Sequence, residues 1–100
     1  MTRTALPVDL SGMQKALKEA RDSIGKETLP FHYVNEIRLI RHAINGDCKA
    51  ALDLRNLARE QQLMLRRVIC LNRRLIKSHV DYQQRKQACR HLAMKLQSKT

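Results

Sequence analysis

The side chains able to do chemistry in this chain are few, and their spacing is poor for it. Cys48, Cys70 and Cys89 stand 22 and 19 residues apart. There is no CxxC and no HxxxH pair, so a structural zinc ion would lack its ligands. Cys89 and His91, two apart on a helix, face different directions. Each cysteine reads most simply as a small buried hydrophobe. His79 and His91 read as partly buried polar residues, and His32 and His42 have no partner at a useful spacing. The nine acidic residues are scattered, which denies the chain a paired-carboxylate acid and base. GxSxG, P-loop and GxGxxG patterns are absent. These residues argue against an enzyme and require neither metal nor cofactor.

What the chain does carry is arginine. Twenty Lys+Arg against nine Asp+Glu give a net charge of +11. Residues 1–53 hold eight basic and seven acidic side chains, and residues 54–100 hold twelve and two, so the excess sits in the second half. Arg59, Arg66 and Arg73 are spaced by seven and share one face of a helix, which Arg67, Arg74 and Lys77 widen. Such a ridge repels itself and calls for an anionic partner. The planar fork of arginine, twelve of the twenty basic residues, suits carboxylate and phosphate. The plainer reading is a solvated face that aids solubility. With only Phe31, Tyr33 and Tyr82 as aromatics, base stacking is poorly served, and no familiar nucleic-acid reading head is visible.

The elements that must position this ridge follow from apolar spacing. Leu10, Met13, Leu17, Ala20 and Ile24 form one helical stripe, with Asp9 or Ser11 as cap and Gly25 as stop. Pro30 restarts the chain, and Phe31, Val34, Ile37, Ile40 and Ile44 form a second stripe flanked by Leu39. Gly46 ends it, and Asp47 can cap the next helix. From Cys48 to Thr100 there is neither Gly nor Pro, which allows about fifty residues of helix, roughly 75 Å if unbroken. The pairs Met64/Leu65, Val68/Ile69, Leu71/Asn72 and Leu75/Ile76 give it a wide apolar face. The pattern thins after Val80. Residues 78–81 are a place for a bend, with Asp81 as cap of a tail helix striped by Cys89, Leu92, Ala93 and Leu96.

The expected architecture is all-α: a three-helix antiparallel bundle whose long, basic third helix protrudes, folds back or meets a partner. The expected organisation is a loose leader at 1–8, a helical domain at 9–80 and a basic helical extension at 81–100. No apolar run reaches the roughly 18 residues that span a bilayer. The first residues carry neither a secretory signal nor an evident cleavable presequence. Free thiols suit a reducing compartment: cytoplasm, nucleus or mitochondrial matrix.

Residues 10–71 also carry a resemblance. Ala16-Leu17-Lys18-Glu19-Ala20-Arg21 is followed by Tyr33-Val34-Asn35-Glu36-Ile37-Arg38-Leu39-Ile40-Arg41, then by Leu57-Ala58-Arg59-Glu60-Gln61-Gln62-Leu63 and Leu65-Arg66-Arg67. This order resembles the LYR-motif superfamily of small, basic, three-helix mitochondrial accessory and assembly factors. Residues 69–80 look like the last helix of its branch that assembles ATP synthase (complex V), and the electron-transfer-flavoprotein regulatory branch has a comparable arginine-rich extension. The chain departs from the family where the Leu-Tyr-Arg triplet falls on Gly12-Met13-Gln14 and the usual helix-two phenylalanine on Ile40. The resemblance implies the mitochondrial matrix and an acidic partner, either mitochondrial acyl carrier protein, whose acyl chain such folds house, or a subunit of a respiratory or ATP synthase complex. It would assign Lys18, Arg21, Arg38 and Arg41 to the carrier, with Leu17, Ile37 and Ile40 lining the core. Away from the resemblance, Lys18 and Arg21 could simply pair with surface neighbours such as Glu19 or with Asp22, and Glu36 could neutralise part of the charge of Arg38 and Arg41.

The leading functional expectation is a non-enzymatic adaptor or assembly factor that docks its ridge on an acidic protein. The alternative is a small basic nucleic-acid-binding regulator. Self-association through residues 64–96, with Asn72 and His79 setting register, and peripheral binding to anionic lipid are further possibilities.

Overall fold

The computed structural model describes residues 10–46 and 59–98. The expected leader, Asp9, Asp47 and Cys48 lie outside the described residues. All regular structure among them is helical: α1 (Ser11–Ser23), α2 (Pro30–Asn45), α3 (Arg59–Lys77) and α4 (Tyr82–Gln97). The third helix expected from the sequence is therefore two helices, and the described residues form four helices rather than three. The break falls at residues 78–81. His79 takes a left-handed conformation (φ 59°), its amide donates to the Ile76 carbonyl, and the Val80 amide reaches back to that of Leu75 at 3.0 Å. This six-to-one closure stops a helix. Asp81 then accepts the Gln84 amide at 3.0 Å and starts α4. α3 is thus about 28 Å long, and nothing of it protrudes as a 75 Å rod.

Helix α1 forms on the expected stripe. Met13, Ala16 and Leu17 are buried, with Leu10 and Ala20 packed against them. It ends in the same six-to-one closure, Lys26 amide to Arg21 carbonyl at 2.9 Å, which requires the positive φ of Gly25. Leu10 occupies the N-cap position, and Ser11 is the first helical residue rather than the cap. Ile24, expected on the buried stripe, is past the helix and 55% exposed.

Helix α2 starts at Pro30, where the ring's fixed φ suits a first turn. The Leu29 amide donates to His32 Nδ1, and the His32 amide donates to the Leu29 carbonyl, both at 2.9 Å. The buried face differs from the expected one. It comprises Glu36, Leu39, Ile40, Ala43 and Ile44, while Phe31 and Val34 are 54% and 45% exposed. The helix is rotated because α4 lies along it, and that contact needs Glu36 and the small Ala43 facing inward.

Met13 meets Asn72, and one turn further along each helix Leu17 and Ile76 line one cleft, so α1 and α3 run parallel. Glu36 meets Arg85 and Ala43 meets Arg90, so α2 and α4 also run parallel. Cys89 against Val68 and Arg85 against Asn72 set α4 antiparallel to α3. α1 packs chiefly on α3, and α2 chiefly on α4. Leu39, Leu65, Val68 and Cys89 are fully buried where the helices meet.

Candidate functional site

The outer face of α3 carries a dense row of basic side chains. Arg59, Arg66, Arg67, Arg73, Arg74 and Lys77 are all exposed. They project away from the buried face of the same helix, which comprises Met64, Leu65, Val68, Ile69, Asn72 and Ile76. Residues seven apart are separated by about 10.5 Å along the axis, so Arg59, Arg66 and Arg73 span some 21 Å. None of the six forms an ion pair with a carboxylate among the described residues. Arg73 also lies over the first turn of α1, where a Cβ on Gly12 would meet its Nη1 at 3.0 Å. The absent side chain of Gly12 leaves room for this guanidinium.

Two features of this face were not expected. Cys70 lies inside it, one turn from Arg66, Arg67, Arg73 and Arg74, and is exposed rather than buried. Leu63, 53% exposed, also lies there, at the edge of a cleft of about 520 Å³ lined by Met64, Arg67 and Leu96. The ridge therefore has a hollow at the amino-terminal end of α3, where Leu63, Met64 and Leu96 are bordered by Glu60, Gln61, Arg67 and Gln97.

The other basic residues drawn from the sequence do not join this face. Lys18 is exposed on α1 and pairs with Asp22 at 2.8 Å, and this contact raises its pKa above the ordinary lysine value. Arg21 is half-buried and donates from Nε and Nη2 to the Glu27 carbonyl at 3.1 and 2.9 Å, tying down the α1–α2 connection. Arg38 is exposed and Arg41 half-buried on α2. Of the core residues the resemblance implied, Leu17 and Ile40 are buried and Ile37 is half-buried.

The interior holds a polar cluster that the apolar spacing does not announce. Glu36 of α2, Asn72 of α3 and Arg85 of α4 are 2%, 0% and 6% exposed. Arg85 grips Glu36 with both terminal nitrogens: Nη1 to Oε1, and Nη2 to Oε2 at 3.0 Å. Its Nη1 also donates to Asn72 Oδ1 at 3.0 Å, and its Nε to the Val80 carbonyl at 3.0 Å. Asn72 Nδ2 donates to Glu36 Oε1 at 2.9 Å and touches Met13 Sδ at 3.2 Å, which brings all four helices to one point. Glu36 thus neutralises Arg85, not Arg38 or Arg41. Asn72 is consumed within the chain and is not available to set the register of a second copy. The signal in the sequence was a polar residue at an apolar-stripe position, Asn72 in α3 and Glu36 in α2. Arg85 was hidden among the other arginines of the basic half.

Burial pushes the Cys89 thiol up to about 12, Arg85 nearby opposing the shift and Glu36 adding to it. It is not a nucleophile at ordinary pH. No cluster of three metal-binding side chains occurs among the described residues, and no helix of theirs is long and apolar enough to cross a membrane. Comparison with protein-family models, with curated proteins and with solved structures finds no match to this chain.

Proposed function

We propose that this chain is a non-catalytic docking module that presents α3 to an acidic protein. The observation that carries this reading is the six exposed basic residues on one helix face, combined with the hollow at Leu63, Met64 and Leu96. Protein interfaces are anchored by apolar side chains in desolvated hollows, ringed by charge that sets orientation and on-rate. A partner helix with one or two apolar anchors and flanking carboxylates fits both parts. The LYR-like order of residues 10–71 supports placing that partner among the acidic carrier proteins or complex subunits of mitochondria, with this chain as an assembly factor.

The test is a tagged chain purified from cells with nuclease and a salt wash, beside an Arg66→Glu/Arg73→Glu variant. The account expects one acidic protein to copurify with the parent chain and to be lost from the variant, with both chains melting alike. Retention of the same protein by the variant rejects the reading.

A nucleic-acid partner is the second reading, favoured by the same ridge, whose only acidic neighbour on α3 is Glu60. It requires affinity that falls linearly in log K against log salt. It explains neither the apolar side chains of the hollow nor the placement of Phe31, the one exposed aromatic among the described residues, on α2 rather than α3.

A further inference from the structure

A second cleft, of about 390 Å³, opens at the opposite end of the bundle from the hollow on α3. It lies between the α1–α2 connection and the α3–α4 turn. One wall is apolar: Leu17, Ala20 and Ile24 from α1, with Ile76 and Val80. The other is polar and rich in donors.

The Asn35 carboxamide lines the cleft and has no hydrogen-bond partner among the described residues. His32 accepts the Leu29 amide on Nδ1, which places its ring proton on Nε2 as a donor. Arg85, nine-tenths buried, reaches the cleft and makes four hydrogen bonds, one from Nε, two from Nη1 and one from Nη2. A guanidinium has five N–H groups, so one on Nη2 is left without an acceptor among the described residues.

The acceptors do not balance this supply. Glu36 is engaged by Arg85 and Asn72, and one Asp81 oxygen caps α4. Around the cleft, Arg21, Lys26 and Arg85 face two carboxylates, Glu36 and Asp81, leaving one positive charge.

We propose that this cleft binds a small organic monocarboxylate with a compact apolar body. Its carboxylate takes the unused donors of Arg85 and Asn35, and its apolar part lies against Leu17, Ile24 and Val80. A single excess charge suits a monoanion. A phosphate dianion is disfavoured, because Glu36 stands beside the donors and repels a second negative charge. The volume lies at the small end of ligand sites. This site uses none of the α3 ridge and stands or falls apart from the docking role.

The test uses the full chain, benzoate and 4-phenylbutyrate as probes, and their neutral amides as controls, followed by amide-correlation NMR. The expected result is saturable shifts at Ile24, Asn35 and Val80, with the carboxylates at least ~10-fold tighter than the amides. Asn35→Leu should weaken the carboxylates more than the amides, whose carbonyl accepts a weaker, neutral hydrogen bond. Ala20→Phe, filling the apolar wall, should abolish both, with the helical circular dichroism retained as the check on folding. Equal affinity for acid and amide overturns the proposal, as do shifts confined to α3 or no saturable shift from either acid.

Discussion

Arg85 of α4 and Glu36 of α2 form a two-pronged ion pair in the interior, with Asn72 of α3 bridging them and Met13 of α1 against the bridge. Both charges are nearly sealed from water, at 7% and 3% side-chain exposure. Taking two ions out of water costs several kcal/mol each, which their attraction only offsets when the geometry is good. What such a pair contributes with less ambiguity is register, since the four helices can satisfy it in one arrangement.

Removing one partner should therefore cost more than removing both. Arg85→Leu leaves Glu36 buried without a counter-charge and should destabilise by about 3–5 kcal/mol. Glu36→Leu/Arg85→Leu should recover most of that loss. Urea unfolding of the two single variants and the double variant closes the cycle, and additive losses would refute the coupling.

The turn between α3 and α4 predicts two opposite effects. Asp81→Ala removes the cap of α4 and should cost about 1 kcal/mol. His79→Gly relieves a left-handed conformation in a residue with a side chain and should stabilise by about 1 kcal/mol. For a domain of this size each corresponds to about 4–8 °C in thermal melting.

The thiols of α3 and α4 should separate by reactivity. Cys70 is exposed and should react with a thiol reagent in the native state, whereas Cys89 should react only on unfolding. The Cys89 shift also has a sign in stability. Its folded pKa is raised from 9.0 to about 12, so the native state binds the extra proton between those values. Stability from this group is complete below about 9 and is lost as pH rises toward 12. Cys89→Ala should flatten that alkaline decline in a pH series of urea midpoints.

Much of the scaffold was legible in the sequence. The α1 stripe, the Gly25 stop, the paired apolar positions of α3 and the Asp81 cap are local patterns, and local hydrogen bonding sets them. The choice between a third helix and two was open, because His79 stops α3 in a conformation usually left to glycine. The rotation of α2 was not legible. Phe31 and Val34 extend an apolar stripe as well as Leu39 does, and only the approach of α4 decides which face turns inward. Likewise Arg85 differs from Arg66 or Arg73 by a contact 49 residues away, which spacing along one helix does not reveal. The charged ridge was visible because exposure follows from the buried face opposite it. The hollow beside it was not, since Leu96 comes from α4.

Cys70 supplies the most direct test of the central claim, because it lies among Arg66, Arg67, Arg73 and Arg74 on the proposed docking face. Its rate of alkylation by iodoacetamide can be compared between the free chain and the chain in complex with the acidic protein that copurifies, with peptide mass spectrometry identifying the labelled cysteine. Docking through α3 predicts rapid labelling of free Cys70 and strong protection in the complex. Equal labelling in both states would show that the partner sits elsewhere and would contradict the account.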